Sequence, residues 1–206
     1  MGVPSGSALK DLEEMRKSRQ EAAETRARIV SAASEEFRRN GIGATGLSDL
    51  MAAAGLTHGG FYRHFGSKDE LVAEACASAA EMLIATVGQD PAKHPDENGL
   101  DAMVEDYLST DHRDDPSAGC PFASLGSEIG RGGNAVRDMA TDGFTKLVDT
   151  IAAQIAKTDP DGARKEALTV VSTMVGALTM ARMVNDPALS DEILEQAKTH
   201  LSALSA

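Results

Sequence analysis

Two groups of residues in this chain could do chemistry by type and spacing. The stretch at residues 54–71, AGLTHGGFYRHFGSKDEL, sets Gly59 and Gly60 among hydroxyl, aromatic, imidazole and guanidinium side chains. Glycine costs about 1 kcal/mol relative to alanine inside a helix, so an adjacent pair in a helix-sized segment needs a reason. Close approach of another molecule's backbone is one, and a tight helix–helix crossing is the other. The second group is Cys120 in SAGCPFASLG, where Pro121 suits a first helical position and leaves the thiol at a helix N-cap. A helix N-terminus favours thiolate, the state that reacts with oxidants and electrophiles, whereas a buried free cysteine is simply a small hydrophobe. Cys76, inside an apolar helix face, reads as the latter. A thiol enzyme using Cys120 with His112 or His94 as base is the reading from a different class. It lacks a fixed spacing, an oxyanion element and a nucleophile elbow. The histidines equally fail metal-ligand spacing, so neither a metal nor a cofactor is expected.

The elements that must position these residues are helical. The 206 residues are ample for a core, aromatics are scarce, and Ala, Leu, Val and Met supply the apolar content. The fold class expected is all-α. The N-terminus has no apolar export segment, and two cysteines far apart in sequence fit free thiols in a reducing cytoplasm. The longest greasy run, ALTVVSTMVGALTMA at 167–181, is shorter than the roughly 20 residues of a membrane span and carries hydroxyls, so no membrane association is expected.

Along the chain, Ala22, Ile29, Ala33 and Phe37 recur at helical spacing from about residue 19, and RRNG closes that helix at Gly41. Thr45 is placed to cap a second, short helix at 45–54, with Leu47, Leu50, Met51 and Ala54 on one face and Gly55 at its end. A third runs from Thr57 to about Phe65 with Leu56, Phe61 and Phe65 as its apolar side. Ser67 and Glu70 then form a capping box before a long helix to about Thr86. GQDPAKHPDENG and STDHRDDPSAG read as linkers around a modest helix at 100–108. After Cys120 come a helix to about residue 131 and a long one bearing Phe144, Leu147, Val148, Ile151 and Ile155. Another at 162–185 is followed by a last one with Leu194, Ala197, Leu201 and Leu204.

Charge separates the two ends of this array. The chain carries −12 overall, yet residues 16–68 hold nine basic and five acidic side chains, a net of +4 that leaves −16 for the remainder. A basic module joined to an acidic one fits a DNA reader with a second, non-DNA function. Two short helices with a Gly-containing turn, flanked by further helices, form a helix-turn-helix whose second member enters the major groove. Residues 25–75, from TRARIVSAA through AAAGLT and FYRHF to SKDEL, closely resemble the DNA-binding domain of the TetR/AcrR family of bacterial transcriptional regulators.

That resemblance implies a homodimer with an N-terminal helix-turn-helix three-helix domain and a C-terminal helical ligand-binding and dimerisation domain. The division expected is a flexible arm at 1–18, the DNA-binding domain at 19–66 and an effector and dimer domain at 67–206. Arg16, Lys17 and Arg19 are candidates to reach DNA from the arm. Gly59 stands where the family usually has glycine, and Gly60 replaces a position often able to touch bases. By the same match Tyr62 and Lys68 are phosphate ligands, with Thr45, Thr57 and His64 as further candidates. Ser48, His58 and Arg63 are the base readers, Arg63 because its planar fork can grip guanine O6 and N7 together. An effector cavity is expected among Met103, Tyr107, Cys120, Phe122, Leu125, Phe144, Met174 and Leu178, residues that would equally serve a plain core. The function expected is a ligand- or redox-responsive cytoplasmic repressor that binds a palindromic double-stranded DNA operator as a dimer and is released by a small apolar or electrophilic effector. A thiol enzyme and a helical adaptor without DNA binding are the alternatives.

Overall fold

The computed structural model describes residues 6–86, 99–155 and 162–203. Nine α-helices and one short 3-10 helix make up the described regular structure: α1 (Gly6–Asn40), α2 (Leu47–Ala53), a 3-10 segment (His58–Arg63), α3 (Lys68–Thr86), α4 (Gly99–Tyr107), α5 (Thr110–Asp114), α6 (Pro121–Ile129), α7 (Asn134–Ile155), α8 (Ala163–Met183) and α9 (Pro187–Ser202). His94 and Leu204 lie outside the described residues, as does most of the first expected linker.

α1 starts at Gly6, well before the expected start near residue 19, so residues expected to form an arm are its first turns. Its side chains from Glu14 to Glu24 are all exposed. With no apolar face, that stretch is carried by the high helix propensity of its Ala, Glu, Lys and Arg residues. The second half buries Ile29, Ala33 and Phe37 completely. Gly41 ends the helix at φ +86°, a left-handed conformation that disfavours any side chain. α5 forms inside the second expected linker, where the Ser109 hydroxyl accepts from His112 N–H and starts a single turn.

Two apolar cores result. The first joins Ile29, Ala33, Phe37, Leu50, Met51, Phe61 and Phe65 to Leu71, Val72, Ala75 and Cys76 of α3, and it extends to Leu125, Ile129 and Val136. This core therefore crosses the expected boundary at residue 66. The second is built from α4, α7, α8 and α9 around Leu147, Ile151, Val170, Met174 and Leu178. α3 packs along α7, α7 along α8, and α8 along α9, so α3 belongs to both bodies.

Candidate nucleic-acid interface

The helix-turn-helix rests on a rigid floor. Phe61 and Phe65 stack with centroids 5.6 Å apart, fully buried above Leu50 and Met51. Arg26 of α1 lies 4.0 Å over the Phe65 ring and pairs with Glu70 at 2.7 Å and with Glu74, both on α3. Those carboxylates, Glu74 first, raise the Arg26 pKa, and Arg26 holds the Glu70 carboxyl below its usual range. The capping box forms with a small change: Ser67 Oγ accepts from Glu70 N–H, while Glu70 reaches back to Gly66 N–H at 2.7 Å.

The second element of the motif is a 3-10 helix of six residues, where an α-helix over 57–65 is expected. Gly60 N–H donates to Thr57 C=O at 3.0 Å and His64 N–H to Phe61 C=O at 2.9 Å, both i to i+3 bonds. Two consecutive glycines bring no side chains that favour the wider helix. Thr57 stands at its N-cap without a side-chain capping bond.

The outer face gathers most of the expected DNA contacts. Ser48, Thr57, His58, Gly59, Tyr62 and Arg63 are exposed, Tyr62 at 68%. Ser48 Oγ and His58 Nδ1 lie 3.3 Å apart, which ties α2 to the start of the 3-10 segment. Gly60 and His64 are half-buried behind them. A Cβ built on Gly59 meets nothing within 4 Å, and one on Gly60 meets only the Met51 methyl at 3.5 Å, an ordinary contact. A tight crossing inside the chain therefore does not account for either glycine.

Two expected phosphate ligands are occupied elsewhere. Thr45 does not cap α2, whose N-cap is Gly46; its hydroxyl is buried at 4% exposure and donates to Gly41 C=O at 2.6 Å. Lys68 Nζ donates to Ile42 C=O at 2.6 Å and to Thr45 C=O at 2.7 Å. Both residues thus build the α1–α2 turn. Hydrogen bonds from a charged donor contribute about 1.5–3 kcal/mol, so Lys68→Ala is expected to lower the urea midpoint measurably in the absence of DNA. An unchanged midpoint would return Lys68 to a purely DNA-facing role.

The Cys120 region departs further from expectation. Cys120 does occupy the N-cap of α6 with Pro121 at the first position. It is nevertheless fully buried, and burial pushes its thiol up, against the pull of the Tyr107 hydroxyl and the Phe122 and Ala123 amides. Burial likewise pushes Cys76 up to about 12. In this conformation neither is a thiolate nucleophile. His112 Nε2 accepts from the Cys120 backbone N–H at 2.9 Å, which places the proton on Nδ1, donated to Tyr107 C=O at 2.7 Å. The nitrogen facing Cys120 is thus engaged by its amide, which leaves no thiol–imidazole relay.

Burial first, and Arg182 after it, depress the His112 pKa to about 4, with Tyr107 C=O opposing. The unfolded state, with a histidine pKa near 6.5, binds the proton more readily between those values. Stability should therefore be fully present above about pH 6.5 and fall as pH drops toward 4, by at most about 3 kcal/mol. Urea unfolding at pH 7 and 4.5 checks this, and His112→Gln should flatten the difference.

Of the expected effector residues, Met103, Tyr107, Cys120, Met174 and Leu178 fill the second core and Leu125 the first. Their methionine and aromatic side chains fill gaps between the packed helices. Phe122 and Phe144 differ. They are half-buried, meet edge to face at 5.9 Å, and line a cleft of about 600 Å³ between α6 and α7 with Gly126, Arg137 and Thr141. Among the described residues no three His, Cys, Asp or Glu side chains converge on a metal-sized site, and no helix is long and apolar enough to cross a membrane.

A three-helix unit that presents a polar, glycine-containing turn on a rigid aromatic floor, fused to a second helical body, defines a helix-turn-helix DNA-binding protein. Residues 29–75 match the family described as bacterial regulatory proteins, tetR family, and residues 97–197 match the tetracyclin repressor-like C-terminal domain. An uncharacterised HTH-type transcriptional regulator of Mycobacterium tuberculosis is 31% identical over 193 residues, 86% of this chain and 94% of its own. The HTH-type transcriptional regulator TtgR of Pseudomonas putida is 45% identical over 58 residues, 28% of each chain. The crystal structure of a TetR transcriptional regulator from Chloroflexus aurantiacus superposes with a TM-score of 0.70 at 28% identity, covering 89% of this chain and 95% of its own. The chain belongs to the TetR family of DNA-binding transcriptional regulators.

Proposed function

We propose that the chain is a homodimeric repressor that reads a palindromic operator and is released by a small apolar effector. The observation that carries this reading is the exposed face of Ser48, Thr57, His58, Gly59, Tyr62 and Arg63, polar and free of steric crowding above a buried aromatic floor. Arg63 and the Ser48–His58 pair face base edges, and Tyr62 with Thr57 faces phosphate. A second copy covers the apolar side chains left outside on α8 and α9, Leu168, Met180, Met183 and Leu189. Two recognition segments then lie about 34–36 Å apart, one turn of duplex.

The effector enters the α6–α7 cleft between Phe122 and Phe144, and it shifts the equilibrium only as far as it prefers the DNA-incompetent arrangement. The two cores support a division into an N-terminal DNA unit and a C-terminal effector unit, with α3 in both and α6 and α7 reaching into the first. Sedimentation velocity of the purified chain with a duplex recovered from a random library tests the assembly. Two chains per duplex are expected, and one chain per duplex would contradict the dimer.

A further inference from the structure

α6 is held by the C-terminal body. Cys120 N–H at its N-cap donates to His112, Arg182 of α8 donates to Ser124 Oγ at 2.9 Å, and Thr179 of α8 donates to Ala123 C=O at 3.2 Å. Both approaches to the same helix are nevertheless fastened to the DNA-binding unit. Ahead of it, Arg38 of α1, buried at 6% exposure, donates from Nε to Ser117 C=O at 2.8 Å. In its last turn, Glu128 accepts from the backbone N–H of Ile42 at 3.1 Å and of Gly43 at 2.8 Å.

Those two amides belong to the turn that leads into α2. The turn's carbonyls, at Ile42 and Thr45, are taken by Lys68 of α3. The turn is therefore clamped from two sides, by a cation on one helix and a carboxylate on another. Gly41 makes room for the carboxylate, since a Cβ there would stand 3.0 Å from Glu128 Oε2.

From this geometry we infer that Glu128 is a positioning residue for DNA binding: its carboxylate, 86 and 85 residues away from Ile42 and Gly43 in sequence, sets the placement of the helix-turn-helix relative to α6. The inference rests on the DNA-reading function proposed above and adds to it the contact that transmits the position of α6. Gly126 and Gly130, which line the α6–α7 cleft, flank Glu128 on the same helix, so whatever moves α6 there moves this acceptor. The bonds are charge-assisted and short-range, so a small displacement of α6 breaks them outright.

Glu128→Gln separates this role from plain charge. Removing a negative charge from a DNA-binding protein tightens DNA binding by electrostatics alone. The carboxamide keeps the size, yet it offers one oxygen and turns an NH2 toward the second amide. The expected result is weaker binding to the duplex selected by the wild-type chain, by about tenfold, with helicity unchanged and the melt still well above the assay temperature. Amide exchange gives a second readout on the free protein: Ile42 and Gly43 should lose protection in Glu128→Gln and Glu128→Ala while Ile29 and Phe37 keep theirs. Binding as tight as or tighter than wild type in Glu128→Gln overturns the positioning role alone, as does unchanged exchange at Ile42 and Gly43. Wild-type protein that selects no duplex overturns both this inference and the function beneath it.

Discussion

Gly59→Leu should leave the fold intact and abolish operator binding. Gly59 is exposed, has no left-handed backbone requirement, and faces open space, so leucine meets nothing within the chain. Replacing glycine in a helical segment stabilises it by up to about 1 kcal/mol, so the melting temperature should hold or rise. On DNA the same side chain stands where the segment must enter the groove. Lifting the segment loses several base contacts of about 1–3 kcal/mol each, which amounts to a hundredfold or more in affinity. A thermal melt and an anisotropy titration with the selected duplex measure the two effects on one preparation. Retained binding would remove the 3-10 segment from the groove and leave its glycines without a function.

Phe61→Ala should abolish binding by the opposite route. Phe61 is fully buried, stacks on Phe65 and meets Tyr62 edge to face at 5.1 Å. Truncating a buried phenylalanine costs about 3–5 kcal/mol, a large part of the 5–15 kcal/mol that holds a typical domain folded. The N-terminal unit should unfold at much lower urea, and because α3 lies in both cores the second core should lose stability with it. Far-UV circular dichroism against urea resolves this, and a loss below about 1 kcal/mol would mean that the floor repacks around the gap. The pair of variants separates contact from scaffold: one loses DNA with the fold kept, the other loses both.

The legible parts of this chain were those with a local signature. Ile29, Ala33 and Phe37 at spacings of four, and Leu50 with Met51 beside a glycine break, give the helical stripe and the short helix directly. Pro121 gives the start of α6. The first half of α1 escaped because it has no buried face to generate a pattern, and α5 because one capping serine starts it inside an Asp- and Pro-rich run.

Contacts that form only on folding are a different matter. Lys68 and Thr45 match phosphate-binding positions of the family, yet carbonyls of the α1–α2 turn, close in sequence for Thr45 and distant for Lys68, engage them here. Glu128 and Arg38 carried no local signal, since each acts across about eighty residues of sequence. Cys120 shows the same limit in its pKa. The helix cap was visible in the sequence, whereas the burial that outweighs it comes from packing against Tyr107 and α8.

The most direct test of DNA reading by the exposed face is selection of duplexes from a random library by the purified chain at moderate salt, repeated with Arg63→Ala. A near-palindrome with half-sites about one helical turn apart is the result expected from the wild type. Arg63→Ala should recover the same frame with relaxed preference at one base pair per half-site. Recovery of no common sequence, or of an identical preference from Arg63→Ala, would contradict the assignment of this face to base recognition.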